Sequence, residues 1–297
     1  MKILQLPRCI SLPICAVLFS TTTAALADIK VQGHRGARAE RPENTLAAFQ
    51  YALDVGVDVL ELDLGVSKDD VLVISHDPII NNFCLRDGKP PAQAIPLRSQ
   101  TLSQLKELDC GSVKNPDFPN QVLQPGEPMA TLEELFQMLE RSDTKISKEV
   151  TFNIETKLLP IRSELTPSAE HFARLLVDEI QEHKLQRRVV VQSFDYRTLK
   201  WVKKLDPSIA TSQLTIRNFV DLVAAAKSID AQYISPDWKS ITKEMVSEFQ
   251  ANDLRVAPWT ANTVEAWDAL IEMGVDEIIT DDPAALISYL QRKGLRP

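Results

Sequence analysis

The clearest chemistry in this chain lies in two acids on one strand and two histidines outside any helix. Val59–Val66 reads Val-Leu-Glu-Leu-Asp-Leu-Gly-Val, so Leu60, Leu62 and Leu64 share one face of an extended segment and Glu61 and Asp63 the other. A second strand, Val71–Ser75, follows the polar turn Ser67–Asp70. A tight turn would pair Val66 with Val71 and set His76 across from Glu61. Neighbouring carboxylates repel, and desolvating each unpaired costs several kcal/mol, on the order known for ions in proteins. One divalent cation relieves this, and oxygen donors of this kind suit Ca2+ or Mg2+. The alternative is a pair of acids bridged by Lys or Arg at a strand end. Phe152–Lys157 repeats the pattern, with Asn153, Glu155 and Lys157 on one face. Glu155 is thus a third candidate ligand and Lys157 a cation for an adjacent anion, unless the two simply pair at the rim.

Of the four histidines, His171 and His183 fall in a helix and at its end, as surface or capping residues. His34 and His76 remain. Two imidazoles beside a carboxylate-bound cation suit cleavage of a phosphate ester: one takes a proton from the attacking hydroxyl, the other protonates the leaving oxygen. The cation would neutralise charge on the phosphate. Arg35 offers a planar fork for two phosphate oxygens. Trp259, at a strand end, either covers the substrate or plugs the fold. Asn44 and Asp282 read as helix caps.

These residues need a scaffold. Ile29–Gly33 is a strand, and Pro42-Glu43-Asn44-Thr45 opens a helix with Leu46, Phe49 and Leu53 at helical spacing, closed by Gly56. After the hairpin, residues 78–130 hold eight of the eighteen prolines through Pro128, and read as an irregular insertion with one short helix near Leu102–Leu108. Helix Thr131–Leu139 and strand Val150–Thr156 come next. Alternation then continues with helix Ala169–His183, strand Val189–Ser193, helix Tyr196–Leu205, strand Ile209–Leu214 and helix Val220–Ser228. It closes with strand Gln232–Ser235, helix Lys243–Ala251, strand Arg255–Trp259, helix Val264–Met273, strand Glu277–Thr280 and helix Ala284–Gln291. Such alternation implies parallel strands with right-handed crossovers. Setting the hairpin's return strand aside leaves eight, the number of an α/β TIM (β/α)8 barrel with an irregular insertion after the hairpin that follows strand 2. An open doubly wound sheet is the competitor, but Gly33-His34-Arg35-Gly36 is not a dinucleotide-binding turn. The carboxyl ends of the strands carry His34, Glu61, Asp63, Glu155, Lys157, Gln192, Ser193, Gln213, Asp237, Trp259 and Asp281. Barrel enzymes work at that end.

Residues 1–27 have the three parts of a secretory signal: Lys2 and Arg8, an apolar run from Ile10 to Phe19, and Ala25-Leu26-Ala27 before Asp28. The run is too short for a stable membrane anchor, so the expectation is a cleaved signal, a periplasmic or secreted product, and one domain over residues 28–297. Cleavage removes two cations and no acid, moving the formal charge from −8 to about −10, which disfavours nucleic acid or an anionic membrane as partner. It leaves Cys84 and Cys110 in an oxidising compartment, where they are expected to pair. In the chain-entropy model such a bridge contributes about 3–4 kcal/mol.

Taken together, Gly33-His34-Arg35-Gly36, Pro42-Glu43-Asn44-Thr45, Glu61-Leu62-Asp63, Ser75-His76-Asp77-Pro78, Asn153-Ile154-Glu155-Thr156-Lys157, Gln192-Ser193-Phe194 and Ile278-Ile279-Thr280-Asp281 resemble the ordered motifs of the glycerophosphodiester phosphodiesterases. The resemblance implies hydrolysis of small-molecule glycerophosphodiesters to glycerol 3-phosphate and an alcohol. His34 and His76 would be the acid–base pair, Glu61, Asp63 and Glu155 the cation ligands, and Arg35 and Lys157 the phosphate contacts. Attack by the substrate's own glycerol hydroxyl, through a cyclic phosphate, needs no protein nucleophile. Ile79–Cys84 departs from the Asp-Arg-Thr-type segment many members carry, which bears on substrate choice. Two other readings compete. A phospholipase C/D-like enzyme would show an exposed apolar rim, for which the insertion offers only Phe83 and Phe118. A non-catalytic phosphate-binding protein would leave both histidines and all three acids without a task.

Overall fold

The computed structural model describes residues 1, 29–159, 161–216 and 221–297; the signal sequence expected at 1–27 and the helix start expected at Val220 lie outside them. Among the described residues nine strands form: β1 (Lys30–Gly33), β2 (Val59–Val66), β3 (Leu72–Ile74), β4 (Thr151–Thr156), β5 (Val189–Ser193), β6 (Ala210–Thr215), β7 (Tyr233–Pro236), β8 (Arg255–Val256) and β9 (Glu277–Thr280). Eight run parallel in the order β8-β7-β6-β5-β4-β2-β1-β9, and β3 pairs antiparallel with β2 off that path. Single hydrogen bonds close the seam between β8 and β9. Ile279 N donates to Pro258 O at 3.1 Å, Ala261 N to Ile279 O at 3.0 Å and Asp276 N to Val256 O at 3.1 Å. This is the expected barrel.

Local chemistry sets the helix boundaries. Thr45 caps Leu46–Val55 by accepting from Ala48 N, and Gly56 ends it at φ 90°, where a Cβ would be strained. Asn44, expected as a cap, stands one residue outside. Thr131 and Glu134 form a capping box ahead of Leu132–Arg141. That helix buries Leu132, Leu135, Phe136 and Leu139, each contributing about 1.5–3 kcal/mol. Phe136 meets Phe152 of β4 edge-on at 5.1 Å. Asp282 caps Pro283–Arg292 by accepting from Ala285 N, as expected. Lys145–Glu149 is a helical turn the sequence reading did not anticipate.

The hairpin corrects one expectation. Val66 pairs with Leu72, Gly65 with Val73 and Leu64 with Ile74, so the connection is a residue longer than a tight Ser67–Asp70 turn. The extra residue is accommodated by Ser67, whose hydroxyl accepts from Val71 N at 2.9 Å, and by Asp70 in the left-handed region at φ 62°. Ser75, not His76, comes level with the acids, donating its N–H to Asp63 O at 2.9 Å. His76 lies just beyond the ladder.

The insertion builds a small core of its own from Val73, Ile80, Cys84, Leu97, Leu105, Leu108, Cys110 and Met129. The Cys84–Cys110 disulfide runs through it. Its outer loop reaches back over the turn after β1. Gln121 Nε2 donates to Arg38 O at 2.5 Å, Val122 N to Glu40 O at 2.9 Å, and the Arg38 guanidinium lies 4.9 Å from the centre of the Phe118 ring. Among the described residues no helix is long and apolar enough to cross a membrane.

Candidate active site

β2 and β4 run in register, with Glu61 beside Asn153 and Asp63 beside Glu155. The inward alternation of both strands therefore stacks their acids at the carboxyl end of the barrel. Glu61, Asp63 and Glu155 are all buried, and one oxygen from each lies within 4.8 Å of the others. Lys157 Nζ sits 3.0 Å from Asp63 Oδ1 and 2.7 Å from Glu155 Oε1. Arg35 Nε is 3.2 Å from Asp63 Oδ2. The Lys- and Arg-bridged arrangement and the cation site are thus superimposed rather than exclusive.

The cations do not satisfy all three acids. Burial and the neighbouring charge of Asp63 push Glu61 well above the usual carboxylate range. Burial drives Glu155 to about 7 despite Lys157. Burial opposes Asp63 as well, but Lys157 and Arg35 outweigh it and hold this carboxyl well below its usual value. Three buried oxygen donors, two of them reluctant to ionise beside the third, are a donor set that fits a hard divalent cation.

The turn after β1 is tight. A Cβ on Gly33 would fall 2.1 Å from Gly36 O, and Gly36 itself has φ +86° with Ala48 pressed against it. The turn directs Arg35 N–H to Glu61 Oε2 at 2.8 Å, and Arg35 is itself in the left-handed region at φ 52°. Glu43 accepts from Arg35 Nη1 at 2.7 Å and lies 3.2 Å from Arg38 Nε. Asn44, at φ 58°, donates from Nδ2 to Asp63 Oδ2 at 3.0 Å. It is a support for an acid rather than a helix cap.

His34 Nδ1 is 2.5 Å from Asp281 Oδ1, and its Nε2 lies 3.9 Å from Glu61 Oε2. Burial holds His34 below its ordinary value against the pull of Asp281. Burial also opposes ionisation of Asp281, yet His34 outweighs it and keeps the carboxyl below its usual range. Asn262 Nδ2 secures the other Asp281 oxygen at 2.6 Å. His76 is half-exposed, with Nδ1 3.0 Å from Asp77 Oδ1. Both imidazoles, Arg35, Glu61, Glu155, Lys157 and Trp259 line one cavity of about 420 Å³. Trp259 is anchored by its indole N–H, which donates to Ser235 O at 2.8 Å.

Seven of the eight site residues expected from the sequence line this cavity, and the eighth, Asp63, meets Glu61 and Glu155 in the acidic cluster. Asp281, Asn262, Glu43 and Arg38 join the site with no role expected from the sequence. Asp281 was visible only as a polar residue at a strand end, and Asn262 carried no signal. Ser193 instead braces the backbone, donating to Thr156 O at 3.1 Å. Asp237 caps the short turn Trp238–Ser240. His183 ends its helix and His171 pairs with Asp70 at 3.1 Å, both away from the mouth.

Acids and imidazoles gathered at the carboxyl end of an eight-stranded barrel place the chain among barrel enzymes with a site suited to phosphoryl transfer. Comparison with known proteins makes this specific. Residues 34–285 match the model of the glycerophosphoryl diester phosphodiesterase family. The chain is 31% identical over 264 residues to the glycerophosphodiester phosphodiesterase of Caldanaerobacter subterraneus subsp. tengcongensis, covering 89% of this chain and 98% of that one. A protein from Silicibacter pomeroyi assigned to the same diesterases superimposes with TM-score 0.84 at 26% identity, over 91% of this chain and 95% of that one. A phosphodiesterase from Oleispira antarctica, solved with sn-glycerol-3-phosphate as product, shares the fold with TM-score 0.73 at 24% identity, over 88% and 96% of the two chains. The chain belongs to the glycerophosphoryl diester phosphodiesterase family and is an enzyme of that class.

Proposed function

We propose that the protein hydrolyses glycerophosphodiesters to glycerol 3-phosphate and an alcohol by acid–base catalysis between His34 and His76. The observation that carries this reading is the convergence of both imidazoles, Arg35, Lys157, Glu61 and Glu155 on one cavity, with Asp63 directly behind. Arg35 and Lys157 receive the phosphate oxygens. Glu61, Asp63 and Glu155 would hold Ca2+ or Mg2+, which when bound neutralises phosphate charge and favours the transition state.

With Asp281 ionised, His34 Nδ1–H donates to it and the Nε2 lone pair faces the cavity. His34 is therefore placed to take the proton from the attacking glycerol hydroxyl. His76 protonates the departing alcohol oxygen. Water then opens the cyclic phosphate with the two roles exchanged. Trp259 covers the glycerol. The leader at 1–27 and the Cys84–Cys110 bridge both support an exported enzyme in an oxidising compartment.

The test is glycerol 3-phosphate release from glycerophosphocholine by the purified protein, with and without chelator. Release that chelation abolishes and added Ca2+ or Mg2+ restores is the expected result. Undiminished turnover in chelator would remove the cation, and absence of any release would remove the reaction.

A further inference from the structure

One cation at the mouth has no task in the reaction proposed above. Arg35 and Lys157 meet the phosphate, whereas Arg38 lines the same cavity from the turn after β1 with its side chain 16% exposed. Two acids approach it, and both are already engaged. Glu43 Oε2 lies 3.2 Å from Arg38 Nε, while the other Glu43 oxygen accepts from Arg35. Asp281 Oδ1 lies 3.7 Å from the same Nε, while it holds His34 at 2.5 Å. That Nε is buried and makes no hydrogen bond among the described residues. Charge is thus balanced, with Arg35 and Arg38 set against Glu43 and Asp281. What the Arg38 fork lacks is a hydrogen-bond acceptor.

The insertion holds this side chain in place. The Phe118 ring lies 4.9 Å from the guanidinium. It sits on a turn keyed from inside: Asn115 N donates to Gln121 Oε1 at 2.9 Å, Asp117 N to Asn115 Oδ1 at 3.0 Å and Phe118 N to Asn115 O at 3.0 Å. Asn115 and Gln121 are both buried, and Gln121 ties the turn to Arg38 O and Arg41 O. A guanidinium pinned between a ring and two carboxylates keeps its donors preorganised.

A neutral oxygen suits such a donor better than a second anion, since Glu43 and Asp281 already supply the counter-charge. Its place identifies it. In the proposed reaction His34 takes the proton of the attacking 2-hydroxyl, so the glycerol lies on the His34 side, and Arg38 shares Asp281 with His34. The next oxygen along the glycerol is its terminal hydroxyl. We infer that Arg38, positioned by Phe118, donates to this terminal hydroxyl and makes the enzyme selective for glycerol over shorter or deoxygenated diols. The inference rests on the reaction proposed above. Arg38 moves no proton in it. By holding the terminal hydroxyl it fixes the carbon–carbon rotation that brings the 2-hydroxyl toward His34 Nε2 and phosphorus. Arg38 is then a specificity-determining residue and Phe118 its positioning residue.

The experiment compares kcat/KM for choline release from glycerophosphocholine and from the phosphocholine ester of 1,2-propanediol, which keeps the attacking 2-hydroxyl and lacks only the terminal one. The unaltered protein should prefer glycerol by about ten- to a hundredfold, the scale of a hydrogen bond to a charged donor. Arg38→Met should bring the two substrates level, the loss falling on glycerophosphocholine. Arg38→Lys should keep part of the preference, and Phe118→Ala should lessen it. Equal turnover of the two substrates by the unaltered protein overturns the inference and leaves the proposed reaction standing. No release from either substrate overturns both. A loss of the same size on both substrates in Arg38→Met would mean that Arg38 only supports the His34–Asp281 pair, and overturns the hydroxyl contact. A preference that Phe118→Ala leaves whole overturns the part given to the ring.

Discussion

Acids crowd together at the mouth and on one flank, and among the described residues only the mouth brings three donor oxygens onto one spot. At the mouth, Glu61, Asp63 and Glu155 arrive on adjacent strands with oxygens converging inside 4.8 Å. On the flank, Glu133, Glu140 and Glu179 gather around the end of the helix Ala169–Glu182, where His183 Nε2 reaches Glu133 at 2.6 Å and Nδ1 reaches Glu140 at 2.7 Å. The flank is closed by one imidazole spread between two carboxylates. The mouth keeps three donors on one spot, with Lys157 and Arg35 bridging them. Acid count does not make a site; convergence from rigid neighbouring strands does.

Asp63→Asn is the sharpest way to break this contrast. It should cut glycerophosphocholine turnover by about a thousandfold or more, the scale of losing a preorganised charge contact, while Glu133→Gln leaves turnover unchanged. Equal losses from both variants would erase the distinction. Next in size, His76→Ala should lose roughly 10²–10⁴ in rate. The loss should be far smaller on a glycerol p-nitrophenyl phosphodiester, whose leaving oxygen needs no proton. A similar loss on both substrates would take the general-acid role from His76. His183→Ala, by contrast, should cost about 1 kcal/mol of stability through its two ion-pair hydrogen bonds and nothing in rate.

A third measurement is thermal unfolding with added cation. A divalent ion at a hundred times its dissociation constant should stabilise the native state by about 2.7 kcal/mol. Asp63→Asn should remove that shift and Glu133→Gln should not. The last measurement is the pH dependence of stability, to which the flank contributes. Burial opposes the charge on His183, but hydrogen bonds to Glu140 and Glu133 outweigh it and hold the ring above its ordinary 6.5. The resulting stabilisation is complete below that value and fades as pH rises through the folded-state pKa. Burial, with Glu133 nearby, pushes Glu179 up to about 8 from 4.5, and its Oε1 has no hydrogen-bond partner. The folded state therefore loses ground as pH climbs between those two values. Both groups act in one direction, as do the raised Glu61 and Glu155 at the mouth, so the melting temperature should decline from pH 5 to pH 8 and Glu179→Gln should lessen the decline without abolishing it. An unchanged slope in that variant would remove Glu179 from the account.

The mouth was legible in the sequence because its residues sit on strands whose apolar alternation is plain. Leu60, Leu62 and Leu64 announce which way Glu61 and Asp63 point, and Phe152 and Ile154 do the same for Glu155. β5 begins and ends at Val189 and Ser193, as the run of valines suggests. The hairpin register was not legible, because the turn length depends on how Ser67 and Asp70 fold against each other. The support of His34 was hidden for another reason. Asp281 and Asn262 follow the seam at β8 and β9, and their partner is nearly the whole chain away in sequence. Asn44 was misread because Thr45 beside it caps equally well, and only the fold shows that Asn44 faces Asp63.

Beneath the mouth, Glu277 Oε2 accepts from Gln32, Gln32 Oε1 accepts from Asn153, Asn153 also donates to Gln192, and Gln192 donates to Glu61 Oε1 at 2.9 Å. This chain of amides runs from the floor of the cylinder to a candidate ion ligand. The Glu61 carboxylate, already held by Arg35 N–H, is thereby linked to Glu277 at the amino end of β9. Changes deep in the barrel at Gln32 will be felt as altered chemistry above, with no contact to any reacting atom.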